Sequence, residues 1–287
     1  MARAPVNIAA SVRARLRNLA RAENKVFQTL LVAFGLERLI YRLSISDHRD
    51  QFVLKGGMLV TLWTVDEARF TRDVDFLKFG AADEDRLIDI FRETLAIDAD
   101  DGLIYDTDNI TATSIREDQI YGGIRLRTQA ALDGAIIPIT IDIGFGDALT
   151  RPDYLVEYPS LLDFPDTTIR AYSPATVMAE KFQAIVALGL VNGRMKDYYD
   201  LWAIPRAETV NDDDIIDAIS ATFERRSTSI PSICPDGLSA SFSADADKQR
   251  QWAAYAASIE FEQVSLSDVT EDIWKRLEPI CKRAASK

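Results

Sequence analysis

A chain of 287 residues, 47% hydrophobic and 27% charged, can bury one large core or two modest ones and has the composition of a soluble globular protein. Its formal net charge of -12 excludes a protein that coats itself in nucleic acid through a global positive field. One histidine, His48, and two distant cysteines, Cys234 and Cys281, leave histidine triads and most zinc sites without parts.

Charge is nevertheless segregated. Arg13, Arg15, Arg17, Arg21 and Lys25 crowd the start, and Asp212, Asp213, Asp214 and Asp217 cluster late. The basic stretch Met1 to Arg17 is followed by no apolar signal region, and no apolar run approaches the roughly 20 residues of a membrane span. A cytoplasmic protein that makes no use of a membrane is expected.

Ile8 to Glu23 and Lys25 to Leu43 read as amphipathic helices, the second with a broad apolar face through Leu30, Phe34 and Leu36. Gln51 to Leu54 starts a short apolar segment leading into Lys55-Gly56-Gly57. Met58 to Trp63 is helical, Arg72 to Phe79 alternates as a strand, and Asp83 to Ala96 is helical. Ile110 to Arg116, Ile120 to Thr128 and Ile136 to Phe145 read as strands. Pro138 in the last suggests an edge or a strand start. From about residue 151 the pattern becomes helical. Ser173-Pro174 caps a helix through Leu188. Lys196 to Ala203, Asp213 to Phe223, Lys248 to Glu260 and Leu266 to Ala284 follow as helices, with Ser227 to Asp247 as a loop. The expected organisation is an α+β core with N-terminal helices over residues 1–150 and a helical domain over 151–287.

Chemistry must then run on carboxylates, Lys, Arg or hydroxyls. Asp73 and Asp75, at i and i+2 on a strand, share a face and can hold a divalent cation; magnesium prefers such oxygen ligands and leaves room for phosphates. An isolated pair of this kind is more often a solvated face. Here it follows the Gly56-Gly57 turn, whose bare backbone N–H groups suit a triphosphate, and it stands beside Arg69 and Thr71. Asp142 is an acid inside the apolar strand Ile139 to Ile143. It needs a cation: either the metal of Asp73 and Asp75, giving a three-carboxylate site, or Arg125 or Arg127 on the next strand. Lys181 sits on an apolar helical stripe with Val177, Ala184, Ile185 and Leu188, to snorkel or to reach phosphate. In Arg194-Met195-Lys196-Asp197-Tyr198-Tyr199-Asp200-Leu201 the acids share a helix face. Lys196 can pair with Asp200, and an acid facing Lys181 can orient it or act as a base.

Lys55-Gly56-Gly57, Arg69-x-Thr71-x-Asp73-x-Asp75, Glu180-Lys181 and Arg194-x-Lys196-Asp197-x-x-Asp200-Leu201, in this order, resemble the AbiEii toxin family, which includes the MenT toxins of abortive-infection and toxin–antitoxin systems. The resemblance implies a polymerase-beta-like nucleotidyltransferase core with a mixed sheet and a helical C-terminal domain contributing Lys181 and Asp197 or Asp200. It implies a magnesium- or manganese-dependent enzyme that moves a nucleotide from an NTP to an acceptor hydroxyl, for some members the tRNA 3′ end, so blocking translation. It implies an antitoxin encoded nearby. In this mapping Asp73, Asp75 and Asp142 hold metal; Lys55, Gly56, Gly57, Arg69, Thr71, Arg194 and Lys196 bind nucleotide; and Asp73, Asp75, Lys181, Asp197 and Asp200 carry catalysis. Two other outcomes stay open: a small-molecule or protein hydroxyl as acceptor, and a nucleotide-binding regulator without chemistry.

Overall fold

The computed structural model describes residues 7–64, 71–115 and 122–286. Two compact units divide the chain: Met1–Met58 with Phe70–Gly146 and Asp153–Ala171, and Leu59–Arg69 with Asp147–Pro152 and Tyr172–Lys287. The expected single cut at residue 150 is replaced by interleaved segments.

The first unit begins with α1 (Ile8–Ala22), capped by the Asn7 side chain accepting from the Ala10 N–H. Helix α2 (Phe27–Ile45) is buried along most of its length. It lies on the sheet at Gly35, where a Cβ would stand 3.0 Å from Ile139 Cδ1 and 3.2 Å from Ile137 Cγ2. Strand β1 (Phe52–Lys55) leads into α3 (Gly57–Trp63), the helix through which the chain passes to the second unit. Then come β2 (Val74–Lys78), α4 (Glu84–Leu95), β3 (Ile104–Tyr105), β4 (Thr111–Ile115), β5 (Gly123–Leu132) and β6 (Ala135–Phe145). The sheet runs β1-β2-β6-β5-β3, with β4 also on β5. Only β2 and β6 pair in parallel, so the sheet is mixed, as expected of an α+β core.

Strands β5 and β6 are joined through Asp133 and Gly134, both at positive φ (45° and 78°), which suits a tight hairpin between right-twisted strands. Pro138 sits within β6, a central strand. It pairs with Gln129 of β5, but β2 joins only from Ile141 onward, so the proline's missing N–H falls where β6 has β5 as its one described neighbour. Leu126, Ala130, Leu132, Ile137, Ile139, Ile141 and Ile143 fill the core face of this hairpin.

The expectation of helix from residue 151 is corrected. Leu155–Tyr158 and Thr167–Arg170 form an antiparallel pair, β7 and β8, belonging to the first unit. Four residues are too few for a clear period of two, and the alternation of Val156 and Ile169 inward with Leu155 and Thr168 outward emerges only once the strands are paired.

The second unit is helical. Helix α5 (Pro174–Leu188) starts at Ser173, whose hydroxyl accepts from the Thr176 N–H. Helices α6 (Met195–Ala207) and α7 (Asp212–Arg225) pack on it. Asp212, Asp213 and Asp214 fill the first turn of α7, where the helix dipole favours negative charge. The predicted loop from Ser227 to Asp247 holds a 3₁₀ turn, Asp236–Leu238, and the short α8 (Ala240–Ala244). Gly237 is required there: a Cβ would stand 2.7 Å from the Ile185 carbonyl oxygen. Helices α9 (Ala246–Ser258) and α10 (Leu266–Ala284) close the chain, the latter with a Ser265–Asp268 capping box. Pro174–Val191 is long and apolar enough to cross a membrane by composition, and half of that stretch is buried inside the protein.

Candidate functional site

Strand register assembles the first cluster. Lys55 on β1 lies opposite Asp75 on β2, Asp75 beside Asp142 on β6, Asp142 opposite Arg125 on β5, and Arg125 opposite Thr113 on β4. These residues occupy one face of the sheet in one cross-strand row. Asp73, just before β2, accepts the Thr71 hydroxyl at 2.7 Å. Both acids of the pair are half-buried, with oxygens able to serve a hard cation. Arg69, the other predicted neighbour of the pair, lies outside the described residues.

Gly56 explains why the turn needs glycine. Its φ is +73°, and a Cβ would fall 2.0 Å from Asp75 Oδ2. The Gly57 N–H donates to the same oxygen at 3.4 Å. The turn therefore closes directly onto the carboxylate. Gly56→Ala is expected to cost about 1–2 kcal/mol from backbone strain alone and to push Asp75 aside. An unfolding midpoint equal to that of the unmodified protein would refute this.

Asp142 has a partner of its own. Arg125 donates from Nε to Oδ1 at 2.6 Å and from Nη2 to Oδ2 at 2.5 Å, a bidentate clamp. The clamp, followed by the fields of Asp142, Asp73 and Asp75, holds the guanidinium pKa above its ordinary value although burial opposes it. Of the two partners open to Asp142, the structure shows Arg125; among the described residues no three acidic, cysteine or histidine side chains are gathered as a metal cluster. The guanidinium supplies the cation that this half-buried acid requires.

In the second unit, Lys181 of α5 reaches two carboxylates of α6. Its Nζ is 2.7 Å from Asp197 Oδ1 and 2.7 Å from Asp200 Oδ2, both acids being fully buried. Arg194 Nε stands 2.7 Å from Asp197 Oδ2 while its own side chain is half exposed. Lys181 therefore does not snorkel, and both candidate aspartates meet it. The suggested Lys196–Asp200 pair does not form: Lys196 is exposed, and Asp200 faces inward to Lys181. Next along α5, Glu180 lies 3.4 Å from Arg226, which also pairs with Asp147 at 3.2 Å. The sequence shows Glu180 only as the neighbour of Lys181; its partner Arg226 and Asp147 lie far from it in the chain and share no short motif with it.

His48 is a structural residue, its Nε2 2.7 Å from Glu93 Oε2 and its Nδ1 3.1 Å from Gln51 Nε2.

Comparison with known proteins gives the class first. Residues 38–277 match a family model described as nucleotidyl transferase AbiEii toxin, type IV toxin–antitoxin system. The chain belongs to this AbiEii family. With that membership come nucleotidyl transfer as the family's activity, a nucleotide as substrate and an antitoxin as partner. Two solved structures are similar. One is a candidate nucleotidyltransferase from Helicobacter pylori, 16% identical with a TM-score of 0.48, covering 90% of this chain and 97% of that one. The other is JHP933 from Helicobacter pylori, 15% identical with a TM-score of 0.47, covering 88% and 91%. No curated protein matches the chain.

Proposed function

We propose that the protein transfers a nucleoside monophosphate from an NTP to an acceptor hydroxyl, and that the acceptor is the 3′ end of tRNA. The observation that carries the reading is the Asp73–Asp75 pair set against the Gly56-Gly57 turn, in a chain of the AbiEii family. In the transfer the hydroxyl oxygen bonds to the α-phosphorus, pyrophosphate leaves with the broken phosphoanhydride bond, and the hydroxyl proton passes to a base.

Two half-buried carboxylates fit a magnesium or manganese ion, which commonly takes only one or two protein carboxylates and completes its shell with water and phosphate. Asp73 and Asp75 would hold it. When bound, it neutralises the triphosphate and acidifies the attacking hydroxyl. The Gly56-Gly57 turn, with Lys55, is proposed to lie against the polyphosphate, the Gly57 N–H meanwhile holding Asp75. Lys181 is proposed as a further phosphate contact, with Asp197 and Asp200 fixing its ammonium in one position, and Arg194 and Lys196 as outlying nucleotide contacts. Catalysis rests on positioning and charge stabilisation. The cytoplasm, where tRNA and NTPs meet, is the proposed location.

A second reading is a nucleotide-binding regulator without turnover, in which Asp142 serves its Arg125 clamp and takes no part in chemistry. Incubation with total tRNA, magnesium and each labelled NTP separates the two. Label is expected in RNA, and to be lost in Asp73→Ala and Lys181→Ala. Label in protein or in a small molecule would reassign the acceptor. NTP binding without label in any product, or full activity in Asp73→Ala, would sink the transferase reading.

A further inference from the structure

We propose that Arg125 and Arg127 form a binding site for backbone phosphates of the acceptor strand, on the sheet face beside Asp75. This rests on the nucleotidyl-transfer reading for which ligand goes where. The row Lys55–Asp75–Asp142–Arg125 has its acids in the middle and is asymmetric about them. Lys55 and the glycine turn stand on one flank and the arginines on the other, strands being about 4.8 Å apart. If the triphosphate occupies the glycine flank, an acceptor approaching the same acids arrives over the arginines.

The arginines are prepared for an anion. A guanidinium carries five N–H groups, and Asp142 engages Nε and one of Nη2. The remaining donors of Arg125 have no other partner among the described residues, and its side chain is 32% exposed. The bidentate clamp fixes its plane, so little side-chain entropy remains to be lost on binding. Arg127, at i+2, projects from the same face about 6.6–6.8 Å further along the strand. It is exposed, and among the described residues its side chain has no ion pair or hydrogen bond. Thr140 lies opposite it on β6, in line with the backbone position of Asp73. Thr111 and Thr113 flank the two arginines on β4 and bring hydroxyls to the same rows. Arg127 brings a positive charge that no described acid pairs, and Arg125, neutralised by Asp142, brings unused N–H donors held in a fixed plane, which together suit a phosphate.

The test is equilibrium binding, which needs no turnover. Fluorescence anisotropy of the full chain with a short single-stranded RNA bearing a free 3′ hydroxyl is followed over a salt series, without NTP or divalent cation. Tripolyphosphate binding is measured in parallel. Arg125→Gln and Arg127→Gln are each expected to weaken RNA binding about tenfold. Each should also flatten the dependence of log K on log salt by about 0.7. Arg127→Lys should retain most of the affinity, and Arg127→Gln should leave tripolyphosphate binding unchanged. The proposal is overturned if the unmodified protein does not bind the RNA, if both glutamine variants bind it normally, or if they lose tripolyphosphate and keep RNA. A protein that never transfers label yet shows arginine-dependent RNA binding would lose the catalytic reading and keep this site.

Discussion

Asp75→Asn is expected to lower nucleotidyl transfer about 10³-fold and to leave the fold intact, as judged by an unchanged unfolding midpoint. The asparagine keeps the shape of the side chain and an oxygen for the Gly57 N–H, which now donates to Asp75 Oδ2 at 3.4 Å. What disappears is a full negative charge at the centre of the row, between Lys55 and Asp142. A factor of 10³ corresponds to about 4 kcal/mol of transition-state stabilisation, within what loss of one fixed electrostatic partner in an active site removes. Asp73→Asn should act in the same direction. Its carboxylate differs in holding the Thr71 hydroxyl at 2.7 Å, so Thr71→Val is expected to have a smaller effect than either acid change. The check is initial-rate label transfer at saturating NTP. Transfer by Asp75→Asn within tenfold of the unmodified protein would remove the acid pair from the centre of the reaction.

The pair was legible because its neighbours in space are also near in sequence. Gly56, Gly57, Thr71, Asp73 and Asp75 lie in one short stretch, and glycine beside an i, i+2 acid pair is an uncommon combination with a physical reason behind it. The same holds for the cap at Ser173-Pro174 and for the helices with clear period, such as α4 and α10. Asp142 shows where such reading stops. Its sequence context demanded a cation, and Arg125 and Arg127 were both available; only strand register decides that Arg125 stands opposite. Lys181 was visible as a charge on an apolar stripe, yet the sequence could not say that two buried acids share it. β3, β7 and β8 escaped because two or four residues hold too little pattern. Arg38 and Arg42 were hidden for another reason. They lie on the helix read as a broad apolar face, and charged side chains there look like its solvent side until the partner, Asp101, is folded against them.

That buried cluster sets the largest expected stability effect, because its two acids respond oppositely to ionisation. Asp101 is 1% exposed and accepts from Arg38 Nε at 2.9 Å, Arg42 Nη1 at 2.6 Å and Arg42 Nη2 at 2.9 Å. Burial pushes its carboxyl pKa up, but the Arg42 hydrogen bonds and charge, with those of Arg38, outweigh it and hold the net value below the ordinary 3.8. Asp101→Asn leaves buried Arg42 without its counter-charge and Arg38 with Glu37 alone, 3.7 Å away, and is expected to cost about 3–5 kcal/mol at neutral pH. A carboxylate with a depressed folded value stabilises above its unfolded value and loses that contribution as pH falls through the folded one. The gap between Asp101→Asn and the unmodified protein should therefore narrow as pH drops below 3.8. Glu37 has the opposite sign. Burial dominates and raises its pKa above 4.5, despite the Leu161 N–H, the Ser160 hydroxyl and Arg38. Its contribution is fully present only below the unfolded value and is lost as pH rises through the raised folded one. Above that raised value the ionised Glu37 is thus the less comfortable acid, and Glu37→Gln, whose one amide oxygen can accept from the Leu161 N–H while its NH2 donates to the Ser160 hydroxyl oxygen, is expected to cost no more than about 1 kcal/mol. Urea unfolding of both variants at neutral and acid pH is the measurement. Equal losses at neutral pH would show that the arginines are not the groups that make Asp101 indispensable.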